Sequence, residues 1–152
     1  MDFQPNLEQT LRSLQAGHLS VEDALEQING VKELGYAAID TDRQRRNGFP
    51  EVVYGEGKTV EQIEGILQFL SQKELPILTT RVSLQKGEAL SQRFPTGHYY
   101  PEARCFVLNS KKEEADPEHY IAVVTAGTSD VPVAEEAAVT AETFGSVSYT
   151  HL

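Results

Sequence analysis

The apolar residues near the start of the chain recur at helical spacing. Leu7, Leu11 and Leu14 fall at i, i+4 and i+7, which places them on one side of a first helix. In the next stretch, Ser20 can cap a second helix with Asp23 at the third helical position, a carboxylate version of the capping box. The apolar side of this second helix is predicted to consist of Ala24, Leu25 and Ile28.

A stronger helix signal follows in the stretch "KTVEQIEGILQFL". Thr59 and Gln62 have the spacing of a capping box, in which each residue satisfies a backbone N–H of the other. Apolar residues then repeat at helical spacing at Ile63, Ile66, Leu67 and Leu70. Another helix is predicted over residues 84–93, although Gly87 lowers its intrinsic helix propensity.

Four short stretches rich in β-branched or aromatic residues predict strands. They are residues 36–40, 51–55, 76–82 and 103–109. Asn47, Gly48 and Pro50 are typical turn residues and predict a turn before the strand at 51. Together with the predicted helices, these strands indicate a small α+β domain over residues 1–109.

The pattern changes to a single strand and helix near the end of the chain. Residues 120–126, "YIAVVTA", form an almost unbroken apolar run, as expected for a strand covered on both faces in a parallel sheet. The turn "GTSD" follows, and Pro132 suits a first helical turn. Small residues form a stripe that lets this helix pack close to a sheet, ending at Phe144: Ala134, Ala137, Ala138 and Ala141.

A charged segment separates these two parts. Residues 110–118 are poor in large apolar side chains and predict an exposed linker. All 13 Lys and Arg lie before residue 113, whereas residues 121–152 contain four acids and no basic residue. The fold class is therefore predicted as α/β, with the small α+β domain at 1–109 and the start of a parallel-sheet domain at 119–145.

Composition narrows the classes of partner. A net charge of −10 and a pI near 4.8 repel nucleic acid and anionic membranes, so neither is expected as a partner. The chain lacks a window of about 18 apolar residues and begins without a signal-peptide pattern, which predicts a cytoplasmic protein. Cys105 is the only cysteine and is predicted to be a small buried side chain rather than a nucleophile.

The turn of Gly127, Thr128, Ser129 and Asp130 is the first candidate for ligand binding. It lies between a strand and a helix N-terminus, where unpaired N–H groups and the helix dipole attract anions. Its hydroxyls and carboxylate offer donors and acceptors for phosphate or ribose. The alternative is that Ser129 or Asp130 only caps the helix.

An arginine cluster is the second candidate. Arg43, Arg45 and Arg46 concentrate positive charge in an acidic chain and could bind an anion through their guanidinium groups. The alternative is a solvated turn in which these arginines pair with nearby acids, namely Asp40, Asp42 and Glu51. The four scattered histidines lack metal-ligand spacing, so no metal site is expected. Tyr99 and Tyr100 are expected to cover the core.

Two blocks of sequence together resemble the LarB family, which synthesises the nickel-pincer nucleotide cofactor. They are "DRQRRNGFPEVVYGEGKT" and "AVVTAGTSDVPVAEEAAVTAETFG", within a resemblance that runs from about residue 5 to residue 145. The second block also resembles the opening of phosphoribosylaminoimidazole carboxylases of the PurE type, to whose fold the LarB catalytic domain is related.

The resemblance implies a reaction on nicotinic acid adenine dinucleotide. LarB proteins carboxylate C5 of its pyridinium ring and hydrolyse its phosphoanhydride, which gives pyridinium-3,5-biscarboxylic acid mononucleotide and AMP. CO2 or bicarbonate is the co-substrate, the complete enzyme could use Mg²⁺, and no cofactor is expected on this chain. By the same match, Gly127, Thr128, Ser129 and Asp130 are expected to bind substrate, with individual roles unassigned.

The resemblance also implies missing parts. The family's catalytic cysteine lies later in the PurE-like domain, and Cys105 does not match it, so no catalytic residue is expected here. The chain is expected to be an inactive amino-terminal part of a longer protein that forms homo-oligomers. Residues 146–152, "SVSYTHL", are expected to be a non-native tail, although their alternation could also fit a second strand.

Two other functions stay open at the level of sequence. One is PurE-type carboxylation of an aminoimidazole ribonucleotide in purine synthesis, which the first block disfavours. The other is a non-catalytic binding or assembly module formed by residues 1–109.

Overall fold

A computed structural model describes residues 7–41, 43–73, 75–110 and 120–151, with side chains throughout except at residues 45, 46, 147 and 149–151. The chain divides into two compact units, Met1–Phe49 and Pro50–Leu152. The first unit contains α1 (Leu7–Gln15), α2 (Val21–Asn29), β1 (Val31–Glu33), β2 (Ala38–Asp40) and α3 (Arg43–Asn47). The second contains β3 (Val52–Tyr54), α4 (Val60–Ser71), β4 (Ile77–Thr80), α5 (Leu84–Arg93), β5 (His98–Tyr100), β6 (Cys105–Leu108), β7 (Tyr120–Val124), α6 (Val131–Thr143) and β8 (Val147–His151).

The two predicted helices of the first unit are confirmed. The Ser20 hydroxyl accepts a hydrogen bond from the Asp23 backbone N–H at 3.0 Å, so it caps α2 as the sequence predicts. Gly30 ends this helix with a φ of 65°, a left-handed conformation that glycine adopts at little cost. The Thr10 hydroxyl of α1 donates to the Gln27 side chain of α2 at 3.1 Å.

The apolar sides of α1 and α2 are less buried than predicted. Ala24 is 2% exposed, whereas several larger side chains are more than 40% exposed, namely Leu7, Leu11, Leu25 and Ile28. Within the described part of this unit, the two helices are accompanied only by a hairpin of three-residue strands and the short α3. Such small elements offer little surface for covering the helices.

The hairpin and α3 correct the sequence prediction at two places. β1 was not predicted, and it pairs antiparallel with β2 so that Val31 lies opposite Asp40. Helix α3 covers residues 43–47, so Asn47 belongs to a helix rather than to the predicted turn. The reversal comes one residue later, at Gly48, whose φ is 79°.

The larger sheet of the second unit has the strand order β3-β4-β6-β5. β3 and β4 are parallel and joined through α4, which makes a βαβ unit, and the other two pairs are antiparallel. The predicted capping box of α4 is present in full, with Gln62 N–H donating to Thr59 Oγ1 at 3.2 Å and Thr59 N–H donating to Gln62 Oε1 at 2.9 Å. α5 covers Leu84–Arg93, as predicted.

The core of this unit lies between the sheet and its helices. Buried residues come from α4, β4, α5 and β6, and its fully buried members include Ile63, Leu67, Leu78, Leu90 and Phe106. Val139 of α6 is 5% exposed and packs in a cluster with Leu78 and Val107. Helix α6 therefore contributes to the core of the four-stranded sheet.

The final segment forms a second, two-stranded sheet. β7 and β8 are parallel, with Tyr120 opposite Val147 and Val124 opposite His151, and α6 connects them. The alternation in residues 146–152 thus gives a strand. The expectation that the sequence of this tail is not native stays an expectation.

The burial of β7 differs from the prediction. A strand covered on both faces was expected, but Val124 is 77% exposed, Tyr120 59% and Ile121 47%. Among the described residues, β7 pairs with β8 alone and packs against α6. One helix covers one face of a sheet, so the other face stays open to solvent.

Helices, parallel pairs and antiparallel pairs together give the α/β class that the sequence predicts. None of the helices in the described ranges has the length and apolar content that crossing a bilayer requires.

Candidate functional site

The turn of Gly127 to Asp130 lies at the carboxyl end of β7 and leads into α6. Thr128–Asp130 form one turn of 3-10 helix, and α6 continues from Val131 for 13 residues with Pro132 in its first turn, as predicted. All four residues of the turn are exposed. β7 and β8 are parallel, so the turn occupies the edge of a sheet where open α/β folds bind ligands.

Two backbone N–H groups of this turn are free to bind a ligand. The Asp130 N–H donates to Gly127 O at 3.1 Å, and the Val131 N–H donates to Thr128 O. In the part of the chain that the structure describes, the N–H groups of Thr128 and Ser129 have no protein acceptor. They stand at the positive end of α6, which favours an anion there.

The capping alternative does not describe this turn. Asp130 is the N-cap of α6, but with φ −94° and ψ −8° its side chain makes no capping hydrogen bond. The Ser129 hydroxyl faces the Asp130 carboxylate at 3.4 Å rather than a backbone N–H. The side chains of both residues therefore remain available to a ligand.

Neither the backbone conformation nor the space around position 127 requires a glycine in this chain. Its φ of −165° and ψ of 160° are extended values open to any residue. A Cβ built there would meet only the Ser129 hydroxyl, at 3.9 Å, an ordinary contact. The absence of a side chain instead leaves space beside the two free N–H groups.

Thr125 is a polar residue at this site that the sequence reading missed. Its hydroxyl oxygen is buried and has no hydrogen-bond partner among the described residues, which is costly for a polar group. In the sequence, this threonine interrupts an apolar run two residues before the turn. A sequence pattern cannot tell a buried unpaired hydroxyl from a solvated one.

The arginine cluster lies on α3, in the first compact unit, whereas the turn belongs to the second. Arg43 is half-buried and has an interaction partner, as do Asp40 and Glu51. The side chains of Arg45 and Arg46, and residue Asp42, lie outside the described residues. The anion-binding role of Arg43, Arg45 and Arg46 stays a prediction.

Cys105 is buried as predicted, at 0% exposure. Burial, followed by the charge of Glu136, raises the pKa of its thiol to about 12. The thiol donates to the Ala103 carbonyl at 3.3 Å. A protonated, inaccessible thiol is not a nucleophile, in agreement with the sequence reading.

Tyr99 and Tyr100 are both half-buried on β5, as expected for residues that cover the core. The Tyr99 hydroxyl donates to the Val82 carbonyl at 3.0 Å. Among the described residues, no group of three or more His, Cys, Asp or Glu side chains is placed to hold a metal ion.

Comparison of the sequence with known protein families identifies the family of this chain. The family profile described as "LarB/PurE-like N-terminal domain" matches residues 31–111. The chain belongs to the LarB/PurE-like N-terminal domain family. The LarB profile covers β1 through β6 and includes the block "DRQRRNGFPEVVYGEGKT".

A curated relative of this LarB chain is the uncharacterized protein MJ0165 of Methanocaldococcus jannaschii. The two are 30% identical over 153 aligned positions, which cover 95% of this chain and 60% of the relative. The LarB chain described here thus spans less than two thirds of the length of the relative that it matches.

Proposed function

We propose that this chain is part of a LarB-type enzyme that carboxylates and hydrolyses nicotinic acid adenine dinucleotide. Carbon dioxide adds at C5 of the pyridinium ring and the C5 proton leaves, while water cleaves the phosphoanhydride. The products are pyridinium-3,5-biscarboxylic acid mononucleotide and AMP. Membership of the LarB/PurE-like N-terminal domain family supports the proposal.

The observation that carries the proposal is the exposed turn with two free N–H groups. The N–H groups of Thr128 and Ser129 would receive a phosphate or carboxylate oxygen of the dinucleotide. The Ser129 hydroxyl and the Asp130 carboxylate would contact phosphate or ribose hydroxyl groups. In this proposal, the turn binds and orients substrate and performs no bond-breaking step.

The proposal also includes a setting for the reaction. We place the enzyme in the cytoplasm, as a homo-oligomer, with CO2 or bicarbonate as co-substrate. Product sulfuration and nickel insertion, as in lactate racemase maturation, would be tasks of other enzymes.

The test compares the complete gene product with this chain. Both would be incubated with nicotinic acid adenine dinucleotide and ¹³C-bicarbonate, and AMP and the labelled mononucleotide would be measured by mass spectrometry. We expect both products in equal amounts from the complete protein and none from this chain. Unchanged dinucleotide with the complete protein would contradict the proposal, and carboxylation of aminoimidazole ribonucleotide instead would favour purine synthesis.

The role of the turn is tested by replacing one hydroxyl in the complete protein. We expect Ser129→Ala to raise KM roughly tenfold, because the variant loses one hydrogen bond to a charged group of the substrate. Ser110→Ala is the matched control, because Ser110 is an exposed serine outside the turn. Equal KM values for both variants and the unmodified enzyme would remove Ser129 from the binding site.

A further inference from the structure

A second concentration of ligand-binding groups lies where the parallel strands β3 and β4 end. α4 follows β3 and α5 follows β4, so both helices begin on the side where these strands end. The strand ends approach closely, with Gly55 N–H donating to Thr80 O at 2.8 Å. A Cβ at Gly55 would lie 2.8 Å from that same oxygen, so only glycine fits there. In open α/β sheets, this edge is where ligands bind.

Four cations converge on this edge. The Lys58 ammonium donates to Tyr54 O and the Lys86 ammonium donates to Gly55 O, both at 3.0 Å. Arg81 directly follows β4, and Arg104 is joined to the same loop because Val82 N–H donates to Arg104 O at 2.8 Å. Four of the chain's 13 basic residues are thus gathered here, in a chain with a net charge of −10.

Arg81 and Arg104 both have left-handed backbones. Their φ values are 56° and 52°. Glycine would adopt this conformation with less strain, and strained non-glycine residues cluster at ligand sites. The third described non-glycine residue of this kind is Asn109, a type that tolerates the conformation well. The presence of arginine at both positions indicates that these side chains serve a function rather than the stability of the fold.

The two guanidinium groups are only partly engaged. Within the described residues, the exposed Arg104 side chain makes no hydrogen bond or ion pair. Arg81 has one ion pair, with Glu136 at 3.5 Å, and its side chain is 42% exposed. An anionic ligand with a higher negative charge could displace the Glu136 carboxylate from the Arg81 guanidinium, or bind to that guanidinium beside it.

An exposed phenol completes the edge. Tyr54 is 53% exposed, and its hydroxyl donates to the Glu56 carboxylate. This hydrogen bond raises the pKa of Tyr54, while the positive charges of Arg81 and Arg104 oppose the rise. The charges of both guanidinium groups therefore reach the Tyr54 hydroxyl.

We propose that Arg81 and Arg104 bind the phosphoryl group of a small phosphorylated ligand at the β3–β4 edge, formed by Tyr54, Lys58, Arg81, Lys86 and Arg104. The planar guanidinium can donate two parallel hydrogen bonds to phosphate oxygens, which a carbonyl-bound ammonium cannot. This site lies on a different sheet from the turn at 127–130, so it goes beyond the proposed function and does not rest on it.

The test uses this chain and two probes, inorganic phosphate and AMP, at matched ionic strength with sodium chloride. ¹H–¹⁵N NMR spectra would follow the amides of Gly55, Arg81, Val82 and Arg104 during each titration. We expect saturable shifts at these amides with both probes. Tighter binding of AMP would identify a nucleotide as the ligand, and equal affinities would identify the phosphoryl group alone.

The decisive variant is Arg104→Gly, with Arg12→Gln as the control. Glycine suits the left-handed backbone, so the variant should keep its Tm while its Kd for phosphate rises at least about tenfold. Arg12 is an exposed arginine of α1 that pairs with Glu8, and its loss should leave the Kd unchanged. The proposal is overturned if the edge amides do not shift, if Arg104→Gly binds as tightly as the unmodified chain, or if Arg12→Gln weakens binding equally.

Discussion

At the residue scale, Cys105 shows how burial decides the chemistry of a thiol. Its pKa is raised to about 12, from an ordinary value of 9.0, mainly by burial. The thiolate is the reactive form, so native protein at pH 8 should react with a thiol reagent far more slowly than unfolded protein. Equal labelling rates in buffer and in urea would contradict this burial.

The same thiol predicts how stability changes with pH. Its folded pKa is raised, so its stabilising contribution is complete below pH 9.0 and is lost as the pH rises toward about 12. Each pH unit in that window should cost about 1.4 kcal/mol. Urea unfolding of the unmodified chain and of Cys105→Ala should therefore give free energies that converge between pH 8 and pH 11. A constant difference would show that the thiol does not titrate as described.

Gly87 is a residue whose small size is required by packing. A Cβ there would lie 2.5 Å from ring atoms of Tyr99, whose hydroxyl is anchored to Val82 O. Gly87→Ala gains about 1 kcal/mol of helix propensity, but the overpacking should cost more, and we expect a net loss of about 1–2 kcal/mol. Urea denaturation measures this change, with exposed Gln85→Ala as the control. A stabilised Gly87→Ala variant would refute the contact.

Some features at the residue scale could be predicted from the sequence and others could not. The exposed GTSD turn could be predicted, because glycine and hydroxyl residues between an apolar strand and a helix have few other arrangements. The left-handed Arg81 and Arg104 could not, since arginine carries no signal for this conformation. The unpaired hydroxyl of Thr125 could not be predicted either, because the sequence does not show which hydroxyl groups are buried.

At the scale of elements, the capping box of α4 offers a direct test. Thr59→Ala removes the acceptor of the Gln62 N–H and should destabilise the chain by about 1 kcal/mol. Thr59→Ser keeps the oxygen and should cost much less. Free energies of unfolding in urea separate the two variants, and equal losses would mean that the methyl group rather than the cap matters.

The helices were easier to predict than the strands. α2 and α4 each have a capping residue and an apolar period in the sequence, and these local features act within one turn. β1 and β5 have three residues each and follow no recognisable alternation, so their pairing is decided by the neighbouring strand. α3 contains only polar residues, so it has no apolar period from which to predict it.

The exposed face of β7 predicts self-association. An open apolar strand attracts further strands, and Val124 is 77% exposed. Val124→Lys should reduce the oligomer fraction in sedimentation velocity without lowering stability. Val133→Lys is the control, because Val133 is 63% exposed on α6 rather than on a strand. An equal effect of both variants would point to general charge repulsion instead.

At the scale of the whole molecule, the net charge and the local charge act in opposite directions on an anionic ligand. A net charge of −10 disfavours polyanions, while local clusters of N–H groups or arginines can still attract a single phosphate. The family profile matches residues 31–111, and the chain covers 60% of the length of its curated relative. The catalytic assignment is accordingly a proposal about the complete gene product.

The most direct measurement is a structure of the complete gene product with nicotinic acid adenine dinucleotide bound. We predict that a phosphate or carboxylate oxygen of the dinucleotide lies within hydrogen-bonding distance of the backbone N–H of Thr128 or Ser129. A dinucleotide bound without any contact to residues 127–130 would contradict the account.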